Sequence, residues 1–144
     1  MEVRTKRYTY QTTVRWTGQK IGTITSQGKP IIEVATPPEF KGHPGIWSPE
    51  DLFVASANIC LMTTFLSFAE RNGLQFSGYE SEAEGSLNMV DGKFMFTSIT
   101  LRPKITLKSQ EDIDKAKELL TKAEAHCLIS NSMKCRVIIE PSVA

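Results

Sequence analysis

SPEDLFVASANICLMTTFLSFAERNG, residues 48–73, is the stretch that decides the fold. Ser48 is a favoured helix N-cap, Pro49 suits the first helical position, and Ser48 with Asp51 is close to a capping box. Gly73 is the residue favoured just past a helix end. The stretch therefore predicts one long helix that begins after Ser48 and ends just before Gly73.

The middle of this predicted helix has almost no polar side. Residues 52–68 are apolar or small at nearly every position, which is the pattern of a helix buried all round. In a small domain, such a helix is covered either by a sheet wrapped around it or by a second copy. Serine, threonine and asparagine interrupt the run, so we expect it to fall short of the roughly 20 apolar residues that a membrane span needs.

The part of the chain before this helix has the pattern of strands. Residues 3–35 are predicted to be β, because apolar and polar side chains alternate over residues 8–16 and turn residues then separate strands near residues 21–25 and 31–35. Residues 36–47 are rich in proline and glycine. They predict an ordered surface loop that leads into the helix.

The part of the chain after the helix also begins with strands. Residues 75–107 predict a long hairpin with an Asp-Gly turn at 91–92. Ser109 caps a second, amphipathic helix, residues 127–133 predict another helical turn or two, and residues 135–140 predict a final strand. The order of these elements indicates an α+β fold in a single domain of 144 residues, 1–144.

The composition of the chain limits the partners and the location that we expect for it. The chain has 17 lysines and arginines against 16 acidic residues, with no basic stripe, so we expect no nucleic-acid partner. The N-terminus shows no apolar signal core, and we expect neither secretion nor a membrane partner. Three cysteines make an odd number in a core-forming chain, which is not a disulfide framework. A reducing compartment, the cytoplasm, is the expected location.

The three cysteines lie in different contexts. Cys60 is in the middle of the long helix, where a free cysteine often packs as a small hydrophobic residue, and Cys135 falls in strand periodicity, which favours core packing. Cys127 lies between a helix and a strand, where polar surroundings are expected. A Cys60–His126 hydrolase pair stays open, although no further residue pattern supports it. With His43 the only other histidine and no CxxC spacing, a metal site is not expected.

Two motifs of the chain resemble those of the OsmC/Ohr family, the osmotically inducible protein C and organic hydroperoxide resistance proteins. Residues 48–57 followed by Cys60 are similar to that family's helix entry, and residues 125–132, AHCLISNS, are similar to its second cysteine motif. The similarity covers essentially the whole chain. It implies an OsmC-like fold, with antiparallel sheets wrapped around a long buried central helix. It also implies an intertwined homodimer whose active sites are built from both subunits.

The resemblance further implies a thiol peroxidase without a cofactor, whose expected substrates are organic hydroperoxides, with hydrogen peroxide as a second candidate. A Cys60 thiolate would attack the peroxide and become a sulfenic acid, which Cys127 would resolve as a disulfide. This chemistry requires a thiolate, and it requires a nearby second thiol that prevents over-oxidation. An external thiol would then reduce the disulfide, and a lipoyl protein is the expectation from the Ohr branch.

The resemblance also implies charged residues beside the reactive cysteine. Glu50 matches the family's active-site glutamate, although at a helix N-terminus it would also be favourable as a partner of the helix dipole. The family's arginine aligns best with Lys20, which supplies positive charge without a bidentate fork and would otherwise be a solvated turn residue. Arg15 is the second candidate for that cation. Leu128 replaces the proline that usually follows the second cysteine in the Ohr branch.

An apolar pocket would favour organic hydroperoxides over hydrogen peroxide. Its candidate residues are Phe53, Met62, Trp47 and Phe65. The same pocket supports an alternative function, in which the chain is a non-catalytic, OsmC-like domain that binds a small apolar ligand. The two functions differ in the reactivity of Cys60. In a ligand-binding domain, the Cys60 thiol would react slowly, as an ordinary thiol does.

Overall fold

A computed structural model describes residues 6–144, so the first residues of the predicted β region, 3–5, lie outside the described part. The fold class is α+β, as the sequence predicts. The strands and helices are β1 Thr13–Gly18, β2 Ile21–Thr25, β3 Ile32–Ala35, α1 Pro49–Arg71, β4 Phe76–Val90, β5 Lys93–Leu107, α2 Ile113–Ala125, α3 Leu128–Asn131, β6 Arg136–Ile139 and β7 Ser142–Val143. Short 3-10 helices occupy Pro38–Phe40 and Gln110–Asp112. The chain forms two compact units, one up to Leu52 and one from Phe53 onward.

The first unit contains a three-stranded antiparallel sheet in the order β1-β2-β3. Thr13 pairs with Thr25, and Ile24 pairs with Ile32. The sequence predicts a half-buried β1, but β1 is exposed along its length and the Trp16 side chain is 75% exposed. That prediction is wrong for the described residues 6–144, which leave the apolar side chains of β1 exposed.

Both ends of α1 have the local chemistry that the sequence predicts. The Asp51 backbone N–H donates to Ser48 Oγ at 3.0 Å, and the Ser48 backbone N–H donates to Asp51 Oδ2 at 3.0 Å. This reciprocal pair is a capping box. At the other end, Gly73 has φ of 64°, and the Leu74 N–H donates to the Ala69 carbonyl oxygen at 3.0 Å. A left-handed residue of this kind closes a helix, and glycine adopts it without a Cβ clash.

The second unit is built on the long β4–β5 hairpin. Its strands pair from Phe76–Leu107 to Val90–Lys93, and the turn between them has positive φ at Asp91 and Gly92. The predicted Asp-Gly turn is thus confirmed. The sheet is mixed rather than antiparallel, because β6 and β7 both pair with β5 in parallel. Parallel pairing requires a crossover connection, which here runs through α2 and α3.

The core of the second unit lies between α1, β5 and α2. One side of α1 is buried in it, while Ile59 on another side is 56% exposed. The predicted burial of α1 on all sides is therefore not reached within one chain. The buried core residues are Ala57, Leu61, Phe65, Ala69, Leu74, Ile99, Leu101, Ile105, Leu107, Ala116, Leu119, Leu120 and Ala123.

Helix α1 is also long and apolar enough, by length and composition alone, to cross a membrane. The prediction that this stretch is too short an apolar run for a membrane span is wrong by length and composition, because the helix has 23 residues and includes only a few small polar ones. The finding is weak evidence for a membrane span, since core helices of soluble proteins pass the same test. It is the one such helix within residues 6–144.

Candidate functional site

Two cysteines that are distant in the sequence meet in the second unit. Cys60 projects from the buried side of α1, and Cys127 is the N-cap residue of α3. Both are free thiols, with Cys60 8% exposed and Cys127 fully buried. The Cys60 side chain raises the pKa of Cys127, so the two side chains are neighbours. The structure therefore brings together the two cysteines that the sequence analysis singles out.

The two thiols have different surroundings. Burial raises the pKa of Cys127, and hydrogen bonding with Cys60 raises it further. The Ser130 hydroxyl and the Ser130 backbone N–H act in the opposite direction, but the pKa of Cys127 stays above its ordinary value. Cys60 Sγ lies 3.9 Å from Thr64 Oγ1, one helical turn away. Cys127 is therefore poorly suited to be the thiolate that reacts first, since the thiolate is the reactive form.

Half-buried polar side chains form a cluster near Cys127, and several of their oxygen atoms are buried. Burial raises the pKa of Tyr79 to about 12, the nearby Ser81 side chain lowers it, and the charges of Cys127 and Glu124 raise it. Burial likewise raises the pKa of Glu124, and the nearby Ser130 side chain lowers it. Buried side-chain oxygens without a partner of standard geometry within residues 6–144 include Glu124 Oε2, Tyr79 OH, Ser81 Oγ and Ser130 Oγ. The cluster therefore holds hydrogen-bonding capacity that the described residues do not satisfy.

Glu124, Ser130 and Tyr79 are not among the site residues predicted from the sequence. Glu124 and Ser130 stand three residues before and three residues after Cys127. The Cys127 backbone N–H donates to the Glu124 carbonyl oxygen at 3.2 Å, and the α3 turn then carries Ser130 back toward the sulfur. The Glu-x-x-Cys-x-x-Ser spacing was the available signal. Tyr79 gave no local signal, because β4 brings it to the site through tertiary packing.

His126 lies next to Cys127 in sequence but is not placed to act on a cysteine. It is exposed, and its ring lies 5.6 Å from the ring of Phe68. A Cys60–His126 hydrolase requires a ring nitrogen within hydrogen-bond reach of a sulfur, so the exposed position removes that alternative. Within residues 6–144, no group of three or more His, Cys, Asp or Glu side chains could hold a metal ion.

The predicted charged residues Lys20, Arg15 and Glu50 all belong to the first unit. Lys20 Nζ donates to the Lys41 carbonyl oxygen at 2.9 Å. Arg15 and Lys20 line one mainly apolar groove of about 310 Å³, which also includes Pro49 at the start of α1. Glu50 is half-buried, and its Oε1 is buried without a partner of standard geometry in the described residues. Both candidate cations thus share one groove, and their catalytic roles stay a prediction.

The four predicted pocket residues have different environments. Trp47, in the first unit, is 53% exposed. In the second unit, Phe53 stacks on Phe96 with ring centroids 4.8 Å apart, and Met62 is half-buried. Phe65 is fully buried in the core, with ring centroids 5.6 Å from Phe76 and 5.5 Å from Tyr79. Phe65 therefore packs as a core residue in this chain, and the substrate-binding role of the set stays a prediction.

The fold and the cysteine pair define a class of α+β proteins in which a long helix presents one cysteine to a second, distant one. Comparison with known proteins places the chain within this class. Residues 42–142 match the family model described as OsmC-like protein, and the chain belongs to that family. The predicted family is thus confirmed.

Individual relatives agree with this assignment. The uncharacterized protein YmaD of Bacillus subtilis is 32% identical over 130 residues, which covers 87% of this chain and 86% of YmaD. A Vibrio cholerae OsmC-like protein of unknown function has the same fold, with a TM-score of 0.86 at 23% identity over 94% of this chain and 99% of that one. The organic hydroperoxide resistance protein OhrB of Bacillus subtilis has a TM-score of 0.67 at 25% identity, covering 95% and 98%.

Proposed function

We propose that this chain is a thiol-dependent peroxidase that reduces organic hydroperoxides. The observation that carries the proposal is the proximity of two free, buried thiols that are far apart in the sequence. A nucleophilic cysteine with a second thiol beside it is the arrangement that reversible peroxide reduction requires. Membership of the OsmC-like family and the fold shared with OhrB, a hydroperoxide resistance protein, support a peroxidase-like role at the level of the family.

The proposed reaction has two steps on the protein. The Cys60 thiolate attacks the terminal peroxide oxygen, the O–O bond breaks, and Cys60 becomes a sulfenic acid while the alkoxide leaves as the alcohol. The Cys127 sulfur then attacks the Cys60 sulfur, forming a disulfide and releasing water. The raised pKa of Cys127 supports this order, because a thiol that ionises less readily than usual is poorly suited to attack the peroxide first. An external thiol, for which a lipoyl protein is our proposal, reduces the disulfide in the cytoplasm.

Charged groups from a second copy of the chain would complete the site. Glu50 and Cys60 are ten residues apart in α1, which is about three turns of helix. A side chain so far along the same helix does not act on the Cys60 sulfur of its own helix. We therefore propose that Glu50, with Lys20 or Arg15, serves the Cys60 thiol of the partner in a homodimer.

The homodimer itself is open to a direct test. Apolar side chains such as Ile59 and Leu66 on α1 are exposed in one chain, and exposed apolar clusters mark interaction surfaces. We expect light scattering to give twice the mass of the chain. Ile59→Lys should weaken the dimer at least about tenfold, since it places a charge in an apolar contact. Met89→Lys, an equally exposed apolar residue on the hairpin, is the matched control. A monomeric parent protein would contradict the proposal.

Thiol counting tests the proposed reaction. One equivalent of cumene hydroperoxide should remove two of the three thiols of the parent protein, and Cys135→Ser should behave in the same way. Cys127→Ser should instead form a Cys60 sulfenic acid that dimedone traps, because no second thiol remains beside it. The measurement is mass spectrometry after alkylation of free thiols. A Cys60 thiol that survives the peroxide would refute the peroxidase and favour the alternative of a non-catalytic domain that binds a small ligand.

A further inference from the structure

The second step of the proposed reaction requires a proton acceptor. Cys127 must lose its proton as its sulfur attacks Cys60, because the thiolate is the nucleophile in disulfide formation. Cys127 is fully buried, so bulk water does not reach this proton directly. The acceptor must therefore be a side chain that faces the buried thiol.

Few groups face Cys127. Cys60 on α1 is the reaction partner, and Tyr79 on β4, whose pKa is raised to about 12, stays protonated and cannot accept a proton near neutral pH. His126 is exposed, with its ring against Phe68. The remaining neighbour is the Ser130 hydroxyl, which has no useful basicity of its own but can accept one proton while it donates another.

Ser130 connects Cys127 to a carboxylate. Ser130 lowers the pKa of both Cys127 and Glu124, so its hydroxyl lies near the thiol and near the carboxyl. Ser130 Oγ and Glu124 Oε2 are both buried, and neither atom forms a hydrogen bond of standard geometry within residues 6–144. The Cys127 backbone N–H donates to the Glu124 carbonyl oxygen at 3.2 Å. This hydrogen bond fixes Glu124 and Cys127 on adjoining turns. Ser130 and Glu124 thus provide a route for the proton from Cys127 to a carboxylate, and Glu124 is the only carboxylate among these groups.

We propose that Glu124 accepts the proton of Cys127, through the Ser130 hydroxyl, when the Cys127 sulfur attacks the oxidised Cys60. The Cys127–Cys60 S–S bond forms and the Cys60 S–O bond breaks. Cys127 is oxidised, Cys60 is reduced, and the departing hydroxide leaves as water once it takes up a proton from Glu124. Burial of the Glu124 carboxyl favours this role, because a carboxylate with a raised pKa is a stronger base at neutral pH. The inference rests on the proposed redox function of the cysteine pair.

The test separates the two chemical steps. In a Cys135→Ser background, Glu124→Gln should leave the rate of Cys60 oxidation by cumene hydroperoxide unchanged. The rate of disulfide formation should fall by about a hundredfold, which is a common contribution of a positioned acid or base. Dimedone should then trap Cys60 sulfenic acid even though Cys127 is present. Raising the pH should restore part of the rate, as Cys127 ionises without help. Glu118→Gln, an exposed residue of α2, is the matched control.

A second assay is independent of the peroxide. Ellman's reagent places a mixed disulfide on Cys60, and attack by Cys127 releases a second equivalent of coloured thiolate at a measurable rate. That rate should also fall in Glu124→Gln, and in Ser130→Ala, which tests the same path if the glutamine variant folds poorly. An unchanged rate in both variants would overturn the role of Glu124. An unreactive Cys60 toward hydroperoxide, together with a slowed second release, would refute the peroxidase and leave the proton path standing.

Discussion

Cys60→Ser is expected to lower the rate of cumene hydroperoxide reduction at least about a thousandfold, since removal of a nucleophile costs orders of magnitude. A serine hydroxyl is far less acidic than a thiol, and its oxygen does not take an oxygen atom from a peroxide to form a stable acid. The substitution is nearly isosteric at a site where Cys60 is only 8% exposed. The loss should therefore be chemical and not structural.

The measurement is the consumption of cumene hydroperoxide with dihydrolipoamide or another dithiol as the reductant. Cys135→Ser is the matched control, because Cys135 is a half-buried cysteine outside the pair and should retain activity within about twofold. Thermal melting of both variants separates lost chemistry from lost folding. If Cys60→Ser retained substantial activity, the reactive sulfur would have to be Cys127 or Cys135, and the proposed order of steps would be wrong.

The sequence predicted best those features that depend on neighbouring residues. The capping box at Ser48 and the left-handed Gly73 are local, and both ends of α1 lie close to where the sequence places them. The Asp-Gly turn of the hairpin is local in the same sense. The parallel pairing of β6 with β5 has no local cause, since it follows from the path of the chain through α2 and α3. An alternating pattern does not tell a parallel edge strand from an antiparallel one.

The candidate site shows the same difference between features that the sequence predicts and features that depend on the folded chain. The cysteine pair could be predicted because two motifs resemble a family, and the structure places the two thiols together. Tyr79 and Glu124, which lie near Cys127, could not be predicted in this way. Burial is what raises their pKa values, and burial is a property of the folded chain. The same limit applies to Lys20. A turn lysine gives no sign in the sequence that its ammonium group will bind the Lys41 carbonyl oxygen.

Phe65→Ala is expected to lower the free energy of unfolding by about 3–5 kcal/mol, the usual cost of truncating a buried phenylalanine. The Phe65 side chain is fully buried in the core between α1 and the sheet, and its ring lies 5.6 Å from that of Phe76 and 5.5 Å from that of Tyr79. The truncation removes apolar contact with both rings and leaves a cavity that a helix packed on a sheet closes only in part.

Urea denaturation followed by circular dichroism measures this loss, with the slope of the transition expected to stay the same. Met89→Ala, on the exposed side of the hairpin, should change the free energy of unfolding by no more than about 0.5 kcal/mol. The result also decides between two roles for Phe65. A side chain that lines an open substrate pocket would cost little when truncated and would raise KM instead. A large loss of stability assigns Phe65 to the core that holds Tyr79 against the cysteine pair.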